Sequence, residues 1–356
     1  MRVLLAPDRF AGSLTAAEAA EAIAAGWALS APYDVVDMLP LSDGGPGFLD
    51  VLHPALGGEA SVVTVRGPLG GRVPARVLVV ESKAVVEGTP VVQSTAYVEA
   101  AEAAGLHLLP ANGHDPSAAS TAGVADLLTA ALDTGATRVV VGVGGTATTD
   151  GGRGLVEALG GLDAARDRLR GTEVVAATAT DAPLMGHSGA AHGFAGAKGA
   201  DQVTRERLEG RLRQWATDTD GGLAVRPGAG AGGGLGFGLM LLGATRVNGT
   251  ELVAEAVGLD ARVQSADLAL TGQAIFDWEA LRGRVVVAVA RAAQRAGRPT
   301  VVLAQRVEVG RRELASTGID AAYAVADLPP GDVQEGGSPA DLLATLAARV
   351  ARTWSR

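Results

Sequence analysis

Aspartates recur directly after the strand-like runs of this sequence, in loops rich in glycine or hydroxyl residues. There are five of them: Asp8, Asp43, Asp150, Asp181 and Asp277. A single aspartate in such a place often only caps the following helix. Five exceed what capping requires, and such a set suits chemistry that deprotonates an alcohol and neutralises phosphate charge. We therefore predict catalytic roles for Asp8, Asp43, Asp150 and Asp277, and Mg²⁺ ligation by Asp150 and Asp181.

A glycine-rich loop over residues 142–152 is the clearest candidate for phosphate binding. Its first six residues fit the dinucleotide pattern G-x-G-x-x-G/A, but the acidic residue expected to close the next strand is missing. Backbone N–H groups and hydroxyls can hold phosphate oxygens, and a carboxylate can hold Mg²⁺. We expect Gly144, Gly145, Thr146 and Thr148 to contact the cofactor; a purely structural glycine turn is the alternative.

Two further glycine-rich segments could also meet an anion. Residues 227–236 open an apolar helix whose N-terminus would present N–H groups, which makes Gly230, Gly232 and Gly233 candidate cofactor-binding residues. Close helix packing is the alternative for them. Lys198, one of only two lysines, lies in the third segment and could reach a phosphate as a point charge, unless it is a solvated surface residue. No G-x-x-x-x-G-K-[ST] sequence occurs, so a P-loop is excluded.

Composition excludes several other classes of function. The 356 residues are 47% hydrophobic and 19% charged, enough apolar sequence for a large core. A net charge of −9 without a compensating basic run argues against nucleic-acid and anionic-membrane partners. The absence of cysteine excludes disulfides, thiolate metal sites and thiol catalysis. The chain opens without an apolar signal core and has no G-x-S-x-G elbow, so we predict a cytoplasmic protein that is not a serine hydrolase.

The elements that must position these residues follow two different patterns. Alternating strand and helix signals at both chain ends predict a doubly wound parallel-sheet domain, Rossmann- or flavodoxin-like, from residues 1–60 and 260–356. Residues 61–259 open with a hairpin signal and predict an inserted mixed α/β domain, with a cleft between the two. Thr15 and Glu18 form a capping-box pattern at the start of the first helix. Further helices are predicted over 95–104 and 118–132.

Taken in order, these motifs resemble the type-1 glycerate kinase family over essentially the whole chain. Ala6 to Leu14 is similar to A-P-D-S-F-K-G-S-L, and Pro40 to Gly47 to P-L-A-D-G-G-E-G. Gly142 to Gly154 is similar to G-I-G-G-S-A-T-N-D-G-G-A-G, the most specific block. The remaining blocks are Phe194 to Ala200, similar to F-G-P-Q-K-G-A, Gly228 to Gly236, similar to G-A-G-A-A-G-G-L-G, and Thr271 to Gly283, similar to T-G-E-G-x-x-D-x-x-x-L-R-G.

The resemblance implies transfer of the γ-phosphoryl group of ATP to a hydroxyl of D-glycerate, with Mg²⁺. It favours 2-phosphoglycerate over 3-phosphoglycerate as the product and implies a two-domain α/β fold with the active site in the cleft. Small molecules would be the partners of a monomer or homodimer. Within the matching blocks, we expect Arg9, Ser13 and Arg282 to bind the substrate, and Lys198 to act in catalysis.

Three departures from the family pattern distinguish this chain. The lysine of the first block is Ala11, the glutamate of the second is Pro46, and the glutamate of T-G-E-G is Gln273. Arg9 lies two residues before Ala11, and its planar guanidinium can bind a carboxylate through two hydrogen bonds. We expect it to replace the missing lysine. The alternative function is a non-catalytic ligand-binding relative, a pseudokinase or sensor, in which these losses have abolished turnover.

Overall fold

The computed structural model of the protein describes residues 1–86, 89–110, 115–332 and 336–355. Within them the strands are β1 (Arg2–Leu5), β2 (Val35–Met38), β3 (Glu59–Arg66), β4 (Arg72–Val86), β5 (Thr89–Glu99), β6 (Arg138–Gly142), β7 (Glu173–Thr178), β8 (Thr245–Asn248), β9 (Leu268–Phe276), β10 (Thr300–Val307) and β11 (Ala321–Ala324). The α-helices are α1 (Ala16–Ser30), α2 (Phe48–Leu56), α3 (Ala100–Ala104), α4 (Ala122–Asp133), α5 (Arg153–Ala158), α6 (Leu162–Arg168), α7 (Gln202–Asp218), α8 (Gly221–Ala224), α9 (Ala231–Leu241), α10 (Gly249–Ala256), α11 (Leu259–Gln264), α12 (Val285–Ala296), α13 (Arg311–Thr317) and α14 (Pro339–Trp354). None of these helices is long and apolar enough to cross a membrane.

Contacts divide the chain into two compact units. The terminal unit consists of Met1–Asp43 with Thr250–Arg356, and the inserted unit is Gly44–Gly249. The sequence placed the boundaries at residues 60 and 260. The first division lies earlier because α2 packs on β4 and β5 of the inserted unit. The second division lies between Gly249 and Thr250, at the start of α10.

The terminal unit is a doubly wound α/β fold, as the sequence predicted. Its five strands run in the order β11-β10-β9-β1-β2, and every neighbouring pair is parallel. Numbered along this unit alone, the order is 2-1-3-4-5, the flavodoxin-like arrangement. Ile23 of α1 and Leu346 of α14 join one apolar core against the sheet, and Val286 of α12 belongs to another. The strand order reverses between β1 and β9, and ligands of such sheets bind at the carboxyl ends of the strands beside that reversal.

The inserted unit contains a mixed six-stranded sheet in the order β3-β4-β5-β6-β7-β8. The pairs β3–β4 and β4–β5 are antiparallel, and β5 through β8 are parallel. The predicted hairpin at the start of this unit is confirmed. The predicted helix over 95–104 is wrong in its first half, since Thr95–Glu99 form the end of β5 and only Ala100–Ala104 are helical. Pairing of residues 95–99 with β4 on one side and β6 on the other outweighs the helical preference of this alanine-rich sequence.

Helix α1 shows how sequence and packing together fix an element of the terminal unit. The capping box is present, because the Glu18 amide donates to Thr15 Oγ1 and the Thr15 amide donates to Glu18 Oε2. The same helix packs tightly on α14. A Cβ on Gly26 would collide with the backbone carbonyl of Ala344, so only glycine allows the two helices this approach.

Two glycine-to-alanine substitutions should therefore have opposite effects on stability. Gly26→Ala should lower the free energy of unfolding by about 1–3 kcal/mol, because the added methyl group has no space between α1 and α14. Gly210→Ala in α7 should raise it by about 0.5–1 kcal/mol, because a Cβ there meets no atom within 4 Å and alanine favours the helix. Thermal unfolding followed by circular dichroism measures both; a stabilising Gly26→Ala would contradict the packing described here.

Candidate active site

Two aspartates lie together at the carboxyl edge of the five-stranded sheet. Asp8 follows β1 beside the reversal of strand order, and its amide donates to the Gly272 carbonyl at 2.9 Å. Its side chain is only 7% exposed. Burial, followed by the nearby charge of Asp43, raises the pKa of Asp8 to about 8, against the lowering effects of the Arg9 amide and the Arg9 and Arg284 charges. Asp8 therefore retains its proton at neutral pH.

Two arginines surround this acidic pair, and they are held differently. Arg284, the residue before α12, places Nη1 3.9 Å from Asp43 Oδ2 and donates through Nη2 to Glu279 Oε2 at 3.0 Å. The Arg9 side chain is half-buried, and within the described residues its guanidinium makes no hydrogen bond or ion pair. Arg9 is thus the cation with the capacity to bind an external anion. The sequence analysis missed Arg284, although it directly follows the Arg282-Gly283 motif.

The other predicted residues of the terminal unit have local structural contacts. Ser13 Oγ donates to the Phe10 carbonyl at 3.0 Å and accepts from Gln305 Nε2 at 2.8 Å, which holds the loop after β1. Arg282 is exposed and lies over the Trp278 ring, 5.5 Å from its centre.

Asp277 is engaged as a cap. Its Oδ1 accepts from the amides of Glu279 and Ala280 at 3.0 and 3.1 Å. This is the capping role that the sequence analysis weighed as the alternative for each aspartate.

Asp150 in the inserted unit accepts four hydrogen bonds. Thr121 donates through its amide and hydroxyl at 2.9 and 2.8 Å, and the amides of Gly152 and Gly154 donate at 3.1 Å each. Burial raises the pKa of Asp150, and these donors oppose that rise. The carboxylate therefore holds the loop 142–152 to the residues preceding α4. The sequence analysis did not identify Thr121, whose only signal was its position before a helix.

The predicted pair of magnesium ligands does not fit a metal site. The Asp150 oxygens are taken up by four donors, and Asp181, 69% exposed, forms an ion pair with Arg246. Across the described ranges no cluster of three or more acidic or histidine side chains could hold a metal ion.

Lys198 lies buried beneath the loop 142–152, with only 7% of its surface exposed. Its Nζ donates to the Thr148 carbonyl at 2.5 Å. Burial lowers the pKa of Lys198 to about 8, and the charge of Asp150 opposes that shift. The ammonium group therefore supports the loop from inside the unit.

The glycines predicted to face a cofactor are also required by backbone packing. A Cβ on Gly144 or Gly145 would collide with Gly45 or Pro46, respectively, and one on Gly230 with the Pro183 carbonyl. This close packing is the structural alternative that the sequence analysis named. A ligand at these glycines would therefore be bound by their backbone amides, since neighbouring residues occupy the space beside their Cα atoms.

The second glycine-rich segment does not open as a regular helix. Gly232, Gly233 and Gly234 adopt left-handed conformations, with φ of 59°, 68° and 89°. A Cβ on Gly233 would collide with the Thr148 carbonyl, and the Gly151 amide donates to the Gly233 carbonyl at 3.1 Å. The first turn of α9 therefore departs from regular helix geometry, and the predicted cofactor contacts of Gly230, Gly232 and Gly233 stay predictions.

Backbone amides in the loop 142–152 remain as donors for an anion. In the part of the chain that the structure describes, the amides of Gly145 and Thr149 have no acceptor; Gly145 is partly exposed and Thr149 is 4% exposed. The hydroxyls are less suited to this role, since Thr146 Oγ1 is buried without a partner and Thr148 Oγ1 donates to the Gly232 carbonyl at 3.4 Å. A backbone amide without an acceptor can donate to a phosphate oxygen. The loop is therefore chemically suited to phosphate oxygens.

Comparison with known proteins shows the family of the chain. The model of the Glycerate kinase family matches residues 3–166 and 161–355. An uncharacterised protein of Mycobacterium bovis is 43% identical, covering 99% of this chain and 91% of that protein. A glycerate kinase of Halalkalibacterium halodurans is 34% identical and the glycerate 2-kinase of Escherichia coli 32% identical, each covering 91% of this chain and 90% of the relative.

A solved structure shares the fold over nearly the whole length. The crystal structure of a putative glycerate kinase 2 from Salmonella typhimurium LT2 superposes with a TM-score of 0.71 at 30% sequence identity. The match covers 99% of this chain and 98% of that one. The resemblance inferred from the six sequence blocks is thereby confirmed.

The raised pKa of Asp8 predicts a specific pH dependence of stability. Between pH 4 and 8 the folded protein keeps a proton that the unfolded chain has lost, so the contribution of Asp8 to stability falls as the pH rises through about 8. Asp8→Asn stays neutral and avoids this loss. The melting temperature of the variant relative to wild type should thus increase from pH 5 to pH 9. The exposed Asp327→Asn should show a constant difference, and a constant difference for Asp8→Asn would refute the shifted pKa.

Proposed function

The chain belongs to the glycerate kinase family, and from this premise we propose that it transfers the γ-phosphoryl group of ATP to a hydroxyl of D-glycerate. ATP would be used as its Mg²⁺ complex, and 2-phosphoglycerate is the proposed product. The observation that carries the proposal is the Asp8–Asp43 pair beside Arg9, at the end of the sheet where doubly wound folds bind ligands. A location in the cytoplasm and a monomeric or dimeric state stay predictions.

The acidic pair supplies the proton chemistry that the transfer requires. The acceptor hydroxyl must lose its proton as its oxygen attacks the γ-phosphorus, while the bond from that phosphorus to the β,γ-bridging oxygen breaks. Asp8 in its ionised form would accept the hydroxyl proton, and its raised pKa of about 8 keeps that form accessible near neutral pH. A base with a pKa near the working pH is the most effective one for such a transfer.

Fixed positive groups supply the anion binding. The Arg9 guanidinium is proposed to hold the glycerate carboxylate, which fits its lack of a partner among the described residues. The amides of Gly145 and Thr149 are proposed to hold phosphate oxygens of ATP, with Lys198 and Asp150 keeping their loop in place. The Mg²⁺ of the substrate complex neutralises charge on the β- and γ-phosphates. No protein carboxylate is assigned to it.

Three altered positions favour a second candidate function, a non-catalytic nucleotide or metabolite sensor. Ala11, Pro46 and Gln273 stand where the family pattern given in the sequence analysis has charged side chains. The side-chain oxygen of Gln273 is buried without a hydrogen-bond partner among the described residues. Retention of the Asp8–Asp43 pair supports the kinase instead.

A coupled assay with D-glycerate and MgATP separates the two candidates. Turnover, with ADP and phosphoglycerate formed in equal amounts, is expected, and nuclear magnetic resonance of the product identifies the phosphorylated hydroxyl. Nucleotide binding without turnover on D-glycerate would favour the sensor. L-Glycerate serves as the control substrate, since a site that binds both the carboxylate and the hydroxyl of the substrate should discriminate between the two enantiomers.

Loss of the Arg9 cation should weaken catalysis without harming the fold. A hydrogen bond to a charged group contributes about 1.5–3 kcal/mol, so Arg9→Ala should lower kcat/KM for glycerate roughly 10- to 150-fold. The melting temperature should change little, because the guanidinium makes no hydrogen bond or ion pair among the described residues. Arg312→Ala, on the exposed face of α13, is the matched control and should leave both quantities unchanged.

Moving the cation by two residues gives a stricter test of this role. Ala11→Lys in the Arg9→Ala background restores a positive charge to the same loop and should recover part of the lost kcat/KM. Wild-type kinetics in Arg9→Ala would rule out the assigned carboxylate contact.

A further inference from the structure

Glu99 is a buried carboxyl group at the end of β5 that no part of the proposed reaction uses. Its side chain is only 3% exposed. Oε2 accepts from the amide of Gly47 at 3.1 Å and from that of Leu49 at 3.5 Å, the second a long contact. These amides belong to the start of α2, whose N-cap residue is Gly47 and offers no side-chain oxygen of its own. Glu99 therefore caps α2 from 52 residues away.

The segment that Glu99 holds also supports the start of the loop 142–152. Across the parallel pair β5–β6, Glu99 lies in register with Gly142. The Gly144 amide donates to the Gly44 carbonyl at 3.0 Å. A Cβ on Gly142 would lie 2.8 Å from both the Gly44 carbonyl oxygen and the Phe48 ring. Residues 44–49 are thus fixed on one side by Glu99 and contact the turn 142–145 on the other.

The charges around Glu99 show which property of the side chain matters. Facing it are Glu102 of α3, Asp50 of α2 and Arg76 of β4, and Arg76 is itself bound to both Glu102 and Asp50. Burial and the nearby carboxylates raise the pKa of Glu99 to about 8. Below that pH the group is neutral and acts on the two amides as a hydrogen-bond acceptor. A neutral amide side chain of the same length can take that place.

We propose that Glu99 is a positioning residue for nucleotide binding: by accepting the hydrogen bonds of Gly47 and Leu49, it fixes the segment against which the phosphate-binding turn 142–145 is set. This role rests on the proposed function, in which that turn binds ATP phosphates. It predicts that the acceptor oxygen, rather than the negative charge, governs affinity for the nucleotide.

Two substitutions of similar size separate the acceptor from the charge. Glu99→Gln keeps an oxygen facing the two amides, and Glu99→Leu removes it and leaves them without a partner. With a non-hydrolysable ATP analogue and calorimetry at pH 7, the Gln variant should bind within about threefold of wild type, and the Leu variant about tenfold or more weakly. In steady-state assays the Leu variant should raise KM for ATP and leave KM for glycerate within about threefold of wild type.

Controls distinguish this role from a general loss of structure. Glu59→Leu removes an exposed carboxylate from the same sheet and should bind the analogue as wild type does, and melting temperatures are measured for every variant. If Glu99→Leu proves too unstable, Glu99→Asp keeps the carboxyl but withdraws it from the amides, and weaker analogue binding is again expected.

The possible results lead to different conclusions. If Glu99→Leu binds the analogue as tightly as wild type, the positioning role is overturned and the proposed function stays intact. The same conclusion holds for Glu99→Asp if that variant is used in place of an unstable Glu99→Leu. A loss in Glu99→Gln as large as in Glu99→Leu would show that the acceptor oxygen is not what matters and would also overturn it. Failure of the wild-type protein to bind the analogue would overturn the proposed function, and this role with it.

Discussion

Close approach of one backbone to another is the constraint on which the candidate phosphate loop depends. Residues 148–152 lie against residues 232–238, and an added Cβ on Gly234 or Gly238 would lie 2.6 Å from the Cα of Gly151 or Gly152, respectively. At such distances the strands and helices that lead into each segment have no freedom to shift. Lys198 and Asp150 then hold a segment whose distance from its neighbour is already fixed by glycine. Interior packing at this density transmits small displacements, which is why remote hydrogen bonds can matter to the loop.

The terminal unit depends on a different constraint, the burial of a carboxyl group beside another carboxyl group. A sheet with the order 2-1-3-4-5 brings the carboxyl end of β1 to the reversal of strand order, so the residue after β1 is placed at the ligand-binding edge by topology alone. Keeping Asp8 there opposes folding above its pKa. Functional sites commonly retain such destabilising groups, because the shifted pKa is what makes proton transfer effective at neutral pH.

Sequence alone predicted the elements whose signals are local and missed the contacts that are not. The capping box of α1 and the hairpin of β3 and β4 could be predicted because a few adjacent residues determine them. The conformation at the end of β5 could not be predicted, since pairing with β4 and β6 determines it. The role of the glycines could not be predicted, because the absence of a side chain allows the close approach of a ligand and of another backbone segment equally well. Glu99 gave no signal, because its partners are backbone amides, which every residue except proline carries.

Asp8 and Asp150 show how one residue type acquires two functions within one chain. Both follow a strand, both lie in a glycine-containing loop, and burial raises the pKa of each. Asp150 accepts four hydrogen bonds, three of them at Oδ2, and thereby ties a loop to a helix. Within the described residues Asp8 accepts a single hydrogen bond, from the Arg9 amide, and has a like charge beside it. A carboxylate with its acceptors filled is a structural group, and one left short of donors is disposed to exchange a proton. The count of donors around each oxygen, which strand-end position does not reveal, separates the two roles.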